Sequence, residues 1–274
     1  MKRFFIFFSL SVFLLASCSE DEDDIQYVEP KSLIGTISTN VVDYDALGGI
    51  VFENVNQYNN KPYGTLIVDK LNGYPVFDGN KSTRFEVRDG DCGWSDNFSD
   101  CDTDRSRSEI FEKNTSSKIG KTITYTESVF IPKQPNFRPK GNDNLLVLSQ
   151  INHSDTNNVF GALTYLVMEN NNELLIRTHK DFTWNKNKDY TITKSPYNKW
   201  ITIRYEIKVS DGDDGKLSVY VDDKLLFVEN RSTIVTRSGI VFMKFGIYNA
   251  FRSSAKEDYS TQIAYFDGII KKVL

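Results

Sequence analysis

Trp200-Ile201-Thr202-Ile203-Arg204-Tyr205-Glu206-Ile207-Lys208-Val209 alternates without a break. Ile201, Ile203, Tyr205, Ile207 and Val209 fall on one side of an extended chain, and Thr202, Arg204, Glu206 and Lys208 on the other. A period of two, carried by β-branched and aromatic residues, describes a strand with one buried face. The same signature recurs at 83–88, 121–131, 144–152, 161–169 and 173–179 before it, and at 216–221, 241–248 and 262–271 after it. Polar clusters suited to turns separate several of these runs: Asn170-Asn171-Asn172, Asp211-Gly212-Asp213-Asp214-Gly215 and Asp222-Asp223-Lys224. No segment carries a long 3.6-residue period. Residues 40–80 read less clearly, as short strands with room for one short helix. So many strands at this spacing predict an all-β sandwich or jelly roll.

The N-terminal end has a different character. Met1-Lys2-Arg3 is followed by an apolar run from Phe4 to Ala16, too short to span a bilayer, and then by Ser17-Cys18. Leu15-Ala16-Ser17-Cys18 resembles a bacterial lipobox, which implies cleavage before Cys18 and lipid on its thiol. Residues 19–24, Ser-Glu-Asp-Glu-Asp-Asp, form a solvated acidic run. That run also resembles the export signal behind the lipid-bearing Cys of Bacteroidetes surface lipoproteins. The expected organisation is a signal peptide over 1–17, a lipidated Cys and acidic tether over 18–40, and one domain over 41–274. The expected location is the outer membrane, with the domain exposed at the cell surface as a monomer.

The sequence has 274 residues and a formal net charge of −4, which gives no global pull toward nucleic acid. Three cysteines are present. If Cys18 carries lipid, Cys92 and Cys101 are left as a pair in an oxidising compartment, where a disulfide stapling the polar loop between them is expected. The alternative, a zinc site, is poorly served by two Cys without a nearby His. Asp89, Asp91, Asp96, Asp100, Asp102 and Asp104 cluster in the same region. They could hold a structural Ca²⁺ or simply form a solvated loop, and they lack the spacing of an EF-hand.

Three segments carry candidate chemistry. In the first, Arg84, Glu86 and Arg88 share a strand face, as do Arg105, Arg107 and Glu109 further on. Guanidinium groups suit bidentate binding of carboxylate or sulfate, though an Arg-Glu lattice on a solvated sheet is the alternative. In the second, Gln150 and Asn152 share a face at the end of an apolar strand, and His153 follows. In the third, Met243, Phe245 and Ile247 face a core while Lys244, Gly246 and Tyr248 face away. A glycine between Lys and Tyr leaves room for a ligand to approach the backbone.

Together, and in this order, the Arg-x-Glu, Gln-Ile-x-His and Lys-x-Gly-x-Tyr segments resemble the β-jelly-roll polysaccharide lyases of the heparin lyase I, glucuronan lyase and alginate lyase type. Trp200, Asp214-Gly215-Lys216 and Tyr265-Phe266-Asp267-Gly268 agree with that resemblance, which covers roughly residues 45–274. It implies a concanavalin-like sandwich with a concave polar groove, an acidic polysaccharide as partner and no required cofactor; the metal question stays open. Such enzymes cut uronate polymers by β-elimination. A base removes the C5 proton, donors neutralise the charge that develops on the carboxyl group, and an acid protonates the leaving oxygen unless water does.

The resemblance implies roles for residues. Arg107 and Gln150 neutralise the carboxylate, and Tyr248 is the acid or both acid and base. His153 is the candidate base, since an imidazole of pKa about 6.5 needs little tuning. A Tyr base needs its pKa of about 10 lowered by positive charge, for which Arg107 or Lys244 is at hand. The pattern here departs from Gln-Ile-His: alternation places Asn152, not His153, beside Gln150. Either a bulge rotates His153 outward, or Asn152 neutralises and Tyr248 makes both proton transfers. His179, which shares a face with Arg177, is a third candidate base. Arg84, Arg88, Arg105, Lys244 and Arg177 are candidate substrate-binding residues. The competing reading is a non-catalytic carbohydrate-binding sandwich. A glycoside hydrolase needs two positioned carboxylates, and no Glu-x-Asp-x-Glu strand occurs in the mature domain.

Overall fold

The computed structural model describes residues 27–30, 36–37, 41–43, 51–54, 61–95, 98–112, 116–135, 137–138, 145–154, 160–169, 171–179 and 187–274. In chain order the strands begin with β1 (Thr36–Ile37), β2 (Val41–Asp43), β3 (Val51–Asn54), β4 (Thr65–Asp69), β5 (Lys81–Val87), β6 (Trp94–Ser95), β7 (Phe98–Ser99), β8 (Arg105–Glu112) and β9 (Thr122–Phe130). They continue with β10 (Leu145–Ser154), β11 (Phe160–Met168), β12 (Leu174–His179), β13 (Asn187–Thr193), β14 (Trp200–Lys208), β15 (Lys216–Val221), β16 (Lys224–Asn230), β17 (Ile240–Ala250) and β18 (Gln262–Val273). One sheet runs β1-β4-β5-β18-β9-β14-β15-β16 and the other β13-β12-β11-β10-β17-β8-β3-β2, with β6 and β7 as a separate pair. Neighbours in both sheets are antiparallel. The expected all-β sandwich is the observed fold.

The alternation that predicts the sandwich also fixes its core. Ile201, Ile203, Tyr205 and Ile207 of β14 join one cluster with residues of both sheets, so this cluster lies between the sheets. Phe85 and Phe266 of the first sheet meet Phe245 of the second, with ring centroids 5.2–5.7 Å apart. Each such fully buried aromatic contributes about 1.5–3 kcal/mol. The one short helix allowed for in the 40–80 region is a 3-10 turn at Lys70–Asn72, ended by Gly73 at φ +83°.

The sandwich reaches further toward the N-terminus than the sequence suggests. β1 pairs with β4, and Tyr27 and Glu29 lie on the outer face of the first sheet. There Tyr27 meets Phe130 and Tyr265 edge-on, and Glu29 accepts hydrogen bonds from Arg84 Nε at 2.7 Å and the Tyr265 hydroxyl at 2.6 Å. The expected tether over 18–40 is therefore structured in part, because Glu29 supplies a carboxylate that buried Arg84 requires. Residues 1–26, with Cys18 and the acidic run, lie outside the described residues. No helix among the described residues is long and apolar enough to cross a membrane.

Candidate active site

The outer face of the second sheet holds a second apolar cluster, drawn only from β10, β11, β12 and β17. It includes Val147, Tyr165, Val167, Leu175 and Tyr248. Beside it runs a chain of polar groups. Asp100 accepts from Arg107 Nε and Nη2, both at 2.7 Å, in bidentate fashion. Arg107 Nη1 lies 3.4 Å from Glu109 Oε2. The other Glu109 oxygen accepts from Gln150 Nε2 at 2.6 Å, and Gln150 Oε1 accepts from Asn152 Nδ2 at 3.3 Å. Asp100, Glu109 and Asn152 are fully buried or nearly so, and such charge-assisted bonds hold best where water is excluded.

Tyr248 completes the arrangement. Its oxygen accepts from Arg105 Nε at 2.8 Å, and the Arg107 guanidinium stands 4.3 Å from its ring centroid. Burial pushes the Tyr248 hydroxyl above its ordinary range; Arg107 and Arg105 pull it down and Glu109 pushes it up. The positive charge the sequence offers is present, yet burial outweighs it in the resting site. Lys244 stands across from Gln150, and burial lowers its pKa. Between Lys244 and Tyr248 sits Gly246 at φ +139°, where a Cβ would lie 2.2 Å from the Ser108 carbonyl oxygen. Only glycine fits there, because a Cβ would strike the β8 backbone and the core ring of Phe85.

A sequence profile described as "Polysaccharide lyase" matches residues 67–270. The chain belongs to this polysaccharide lyase family. No curated protein matches it. Its fold is similar to that of an endo-β-1,4-glucuronan lyase from the fungus Trichoderma reesei, with a TM-score of 0.52 and 13% identity over 86% of this chain and 95% of that one. It is also similar to a marine alginate lyase from Zobellia galactanivorans, with a TM-score of 0.52 and 10% identity over 84% of this chain and 98% of that one. At these identities the likeness concerns the jelly-roll fold.

In this family member, Arg105, Arg107, Gln150, Asn152, Lys244 and Tyr248 meet on adjacent strands β8, β17 and β10. His153 does not join them. It is fully buried and pairs with the core residue Val241, so it turns inward. The bulge that could have rotated it outward has the opposite effect, and Asn152 stands beside Gln150. His179 is on the outer face, packed edge-on against Tyr165 at 4.8 Å. It lies on β12, three strands from Tyr248, or roughly 14 Å by strand spacing alone. Arg177, on the same strand, is bound by Asp189 and Glu169.

Arg84 and Arg88 belong to the first sheet and so do not reach the site, which corrects their expected role. Phe85 and Val87 face the core, so Arg84, Glu86 and Arg88 face outward on the far side of the sandwich. Arg84 is buried there between Glu29 and Glu86, and Arg88 is half exposed over the Tyr63 ring.

Cys92 and Cys101 form the expected disulfide. It staples the loop ahead of Arg105 and holds neighbouring Asp100 against Arg107. The acidic residues of that loop bind protein donors: Asp91 takes the Tyr63 hydroxyl and the Arg88 amide, and Asp104 takes Ser253. Asp96 lies outside the described residues. Among the described residues no three His, Cys, Asp or Glu side chains converge on a metal position. Asp100 and Tyr165 were the residues whose part in the site sequence reasoning missed. Tyr165 is embedded in an apolar run, and only its outward parity with Val167 hints at it.

Proposed function

We propose that this chain cleaves a uronate-containing polysaccharide by β-elimination. The observation that carries the reading is Glu109 joining Arg107 and Gln150 beside Tyr248, whose oxygen faces the Arg105 guanidinium. A uronate seated beside Tyr248 would place its carboxyl group against preorganised donors, Arg107, Gln150 and Asn152, as charge develops on it. With His153 inward and His179 remote, Tyr248 is the group that takes the C5 proton, acting through the phenolate that Arg105 and Arg107 stabilise against burial, and it returns that proton to the leaving glycosidic oxygen. The C5–H and C4–O bonds break and a C4=C5 double bond forms. No cofactor takes part in these steps.

The test is the absorbance of unsaturated uronate ends when the protein is incubated with glucuronan, alginate and glycosaminoglycans. At least one should yield them. Tight binding with no unsaturated product on any polymer would favour a non-catalytic carbohydrate-binding module. We further propose that the protein is a monomeric lipoprotein held through Cys18 at the outer membrane and exposed at the cell surface. The lipobox-like residues and the acidic run support this. Cys18→Ser should abolish metabolic labelling with a fatty acid and release the protein from the membrane fraction.

A further inference from the structure

The strand that carries Gln150 breaks its alternation once. Leu145 and Val147 join the outer cluster, while Leu146 and Leu148 join the core. Strict alternation would continue with Ser149 and Ile151 outside, Gln150 and Asn152 inside, and His153 outside. The reverse is observed. Ser149 faces inward, as Leu148 does, and Gln150 and Asn152 face outward. The register jumps at this point against both neighbours: from Val147↔Tyr248 to Ser149↔Phe245 on one side, and from Val147↔Val167 to Ser149↔Leu166 on the other. A single irregularity thus decides which set of side chains reaches the site.

The group that holds Ser149 inward comes from the opposite sheet. Ser149 Oγ donates to Glu127 Oε1 at 2.5 Å, and the Tyr205 hydroxyl donates to the same oxygen at 3.0 Å. All three residues are at most 1% exposed, and Glu127 Oε2 has no hydrogen-bond partner among the described residues. A buried carboxyl group is a poor choice for stability alone, since an apolar side chain of that size would suit the core better. Its placement behind Gln150 suggests another use.

We propose that Glu127 is a positioning residue: with Tyr205 it clasps Ser149, fixes the irregularity in β10, and so turns Gln150 and Asn152, rather than Ser149 and His153, toward the substrate. The catalytic half of this proposal rests on the lyase reading of that face; the clasp itself does not. His153 is the reporter, because a slip of the strand would bring it outside.

The experiment uses the full chain, with carbethoxylation of His153 by diethyl pyrocarbonate followed by mass spectrometry. Wild-type His153 should be protected. Ser149→Ala should label about tenfold faster, the fold-change expected from losing one buried hydrogen bond. In the same variant kcat should fall by about the same factor while KM holds, because Gln150 acts on charge that appears in the transition state. Glu127→Gln keeps an acceptor for both hydroxyls, so protection and kcat should be retained. A Ser149→Ala protein with wild-type labelling overturns the clasp. Faster labelling with unchanged kcat overturns the positioning role. If the wild type eliminates no uronate polymer, the lyase reading fails, and the labelling alone decides the clasp.

Discussion

The two outer faces of the sandwich carry the same short motif to different ends. On the first sheet, Arg84-Phe85-Glu86 is locked by Glu29, and Tyr265 donates its hydroxyl proton to that same carboxylate. On the second, Arg107-Ser108-Glu109 is held by Asp100 and Gln150, and Tyr248 accepts from a guanidinium instead. A phenol that donates to a carboxylate is kept protonated, whereas one that accepts from Arg105 has its anion stabilised. An arginine two residues before a glutamate is therefore not diagnostic by itself. The direction of the hydrogen bond at the neighbouring tyrosine distinguishes a structural face from one suited to proton transfer.

The contrast can be broken most directly at the tyrosine. Tyr248→Phe should lower kcat by about 10³-fold, the range of positioned acid–base groups, with its melting transition intact. Wild-type turnover in that variant would sink the distinction between the faces. Arg84→Met on the other side should do the opposite. It takes the buried guanidinium from Glu29 and Glu86, which keep Tyr265 and Arg88, so unfolding in urea should show a loss of about 3 kcal/mol while kcat of the folded protein is unchanged. Glu127, between the faces and facing Ser149 and Tyr205, gives a pH test. Burial raises its pKa from 4.5 to about 7, so the folded state favours the protonated form. Its contribution to stability is full below about pH 4.5 and is lost as pH rises through about 7, a swing of about 3 kcal/mol. Glu127→Gln should flatten that slope in denaturation measured across this range. The smallest effect belongs to Arg88→Ala. Its side chain is 48% exposed and Glu86 keeps Arg84, so stability should fall by only about 1 kcal/mol and activity should be preserved.

The strands of the sandwich were legible because each buries one face, and burial writes alternation into the sequence. β14 and β17 show it most clearly: Ile201, Ile203, Tyr205 and Ile207, and likewise Val241, Met243, Phe245 and Ile247, lie in the core as their parity assigns. Parity gives the face of a strand but not its sheet, which is why Arg84 and Arg107 looked equivalent. The edge strand β13 went unread because its residues are mostly exposed and polar. Pairing between Cys92 and Cys101 followed from counting, but the use of that loop did not, since Asp100 looks like its acidic neighbours until Arg107 is seen against it. The fate of His153 depended on a one-residue irregularity set by Glu127, which lies more than twenty positions away and on the other sheet. Local periodicity carries no record of such a contact.

Glu29 and Tyr27 have a consequence beyond the ion network they complete. By docking on the far sheet, they make the chain enter the fold on the side away from Tyr248. Residues 27–30 and Tyr248 are thereby kept apart by a wall two sheets thick. On the lyase reading, residues 27–30 take up none of the face on which a polymer would lie.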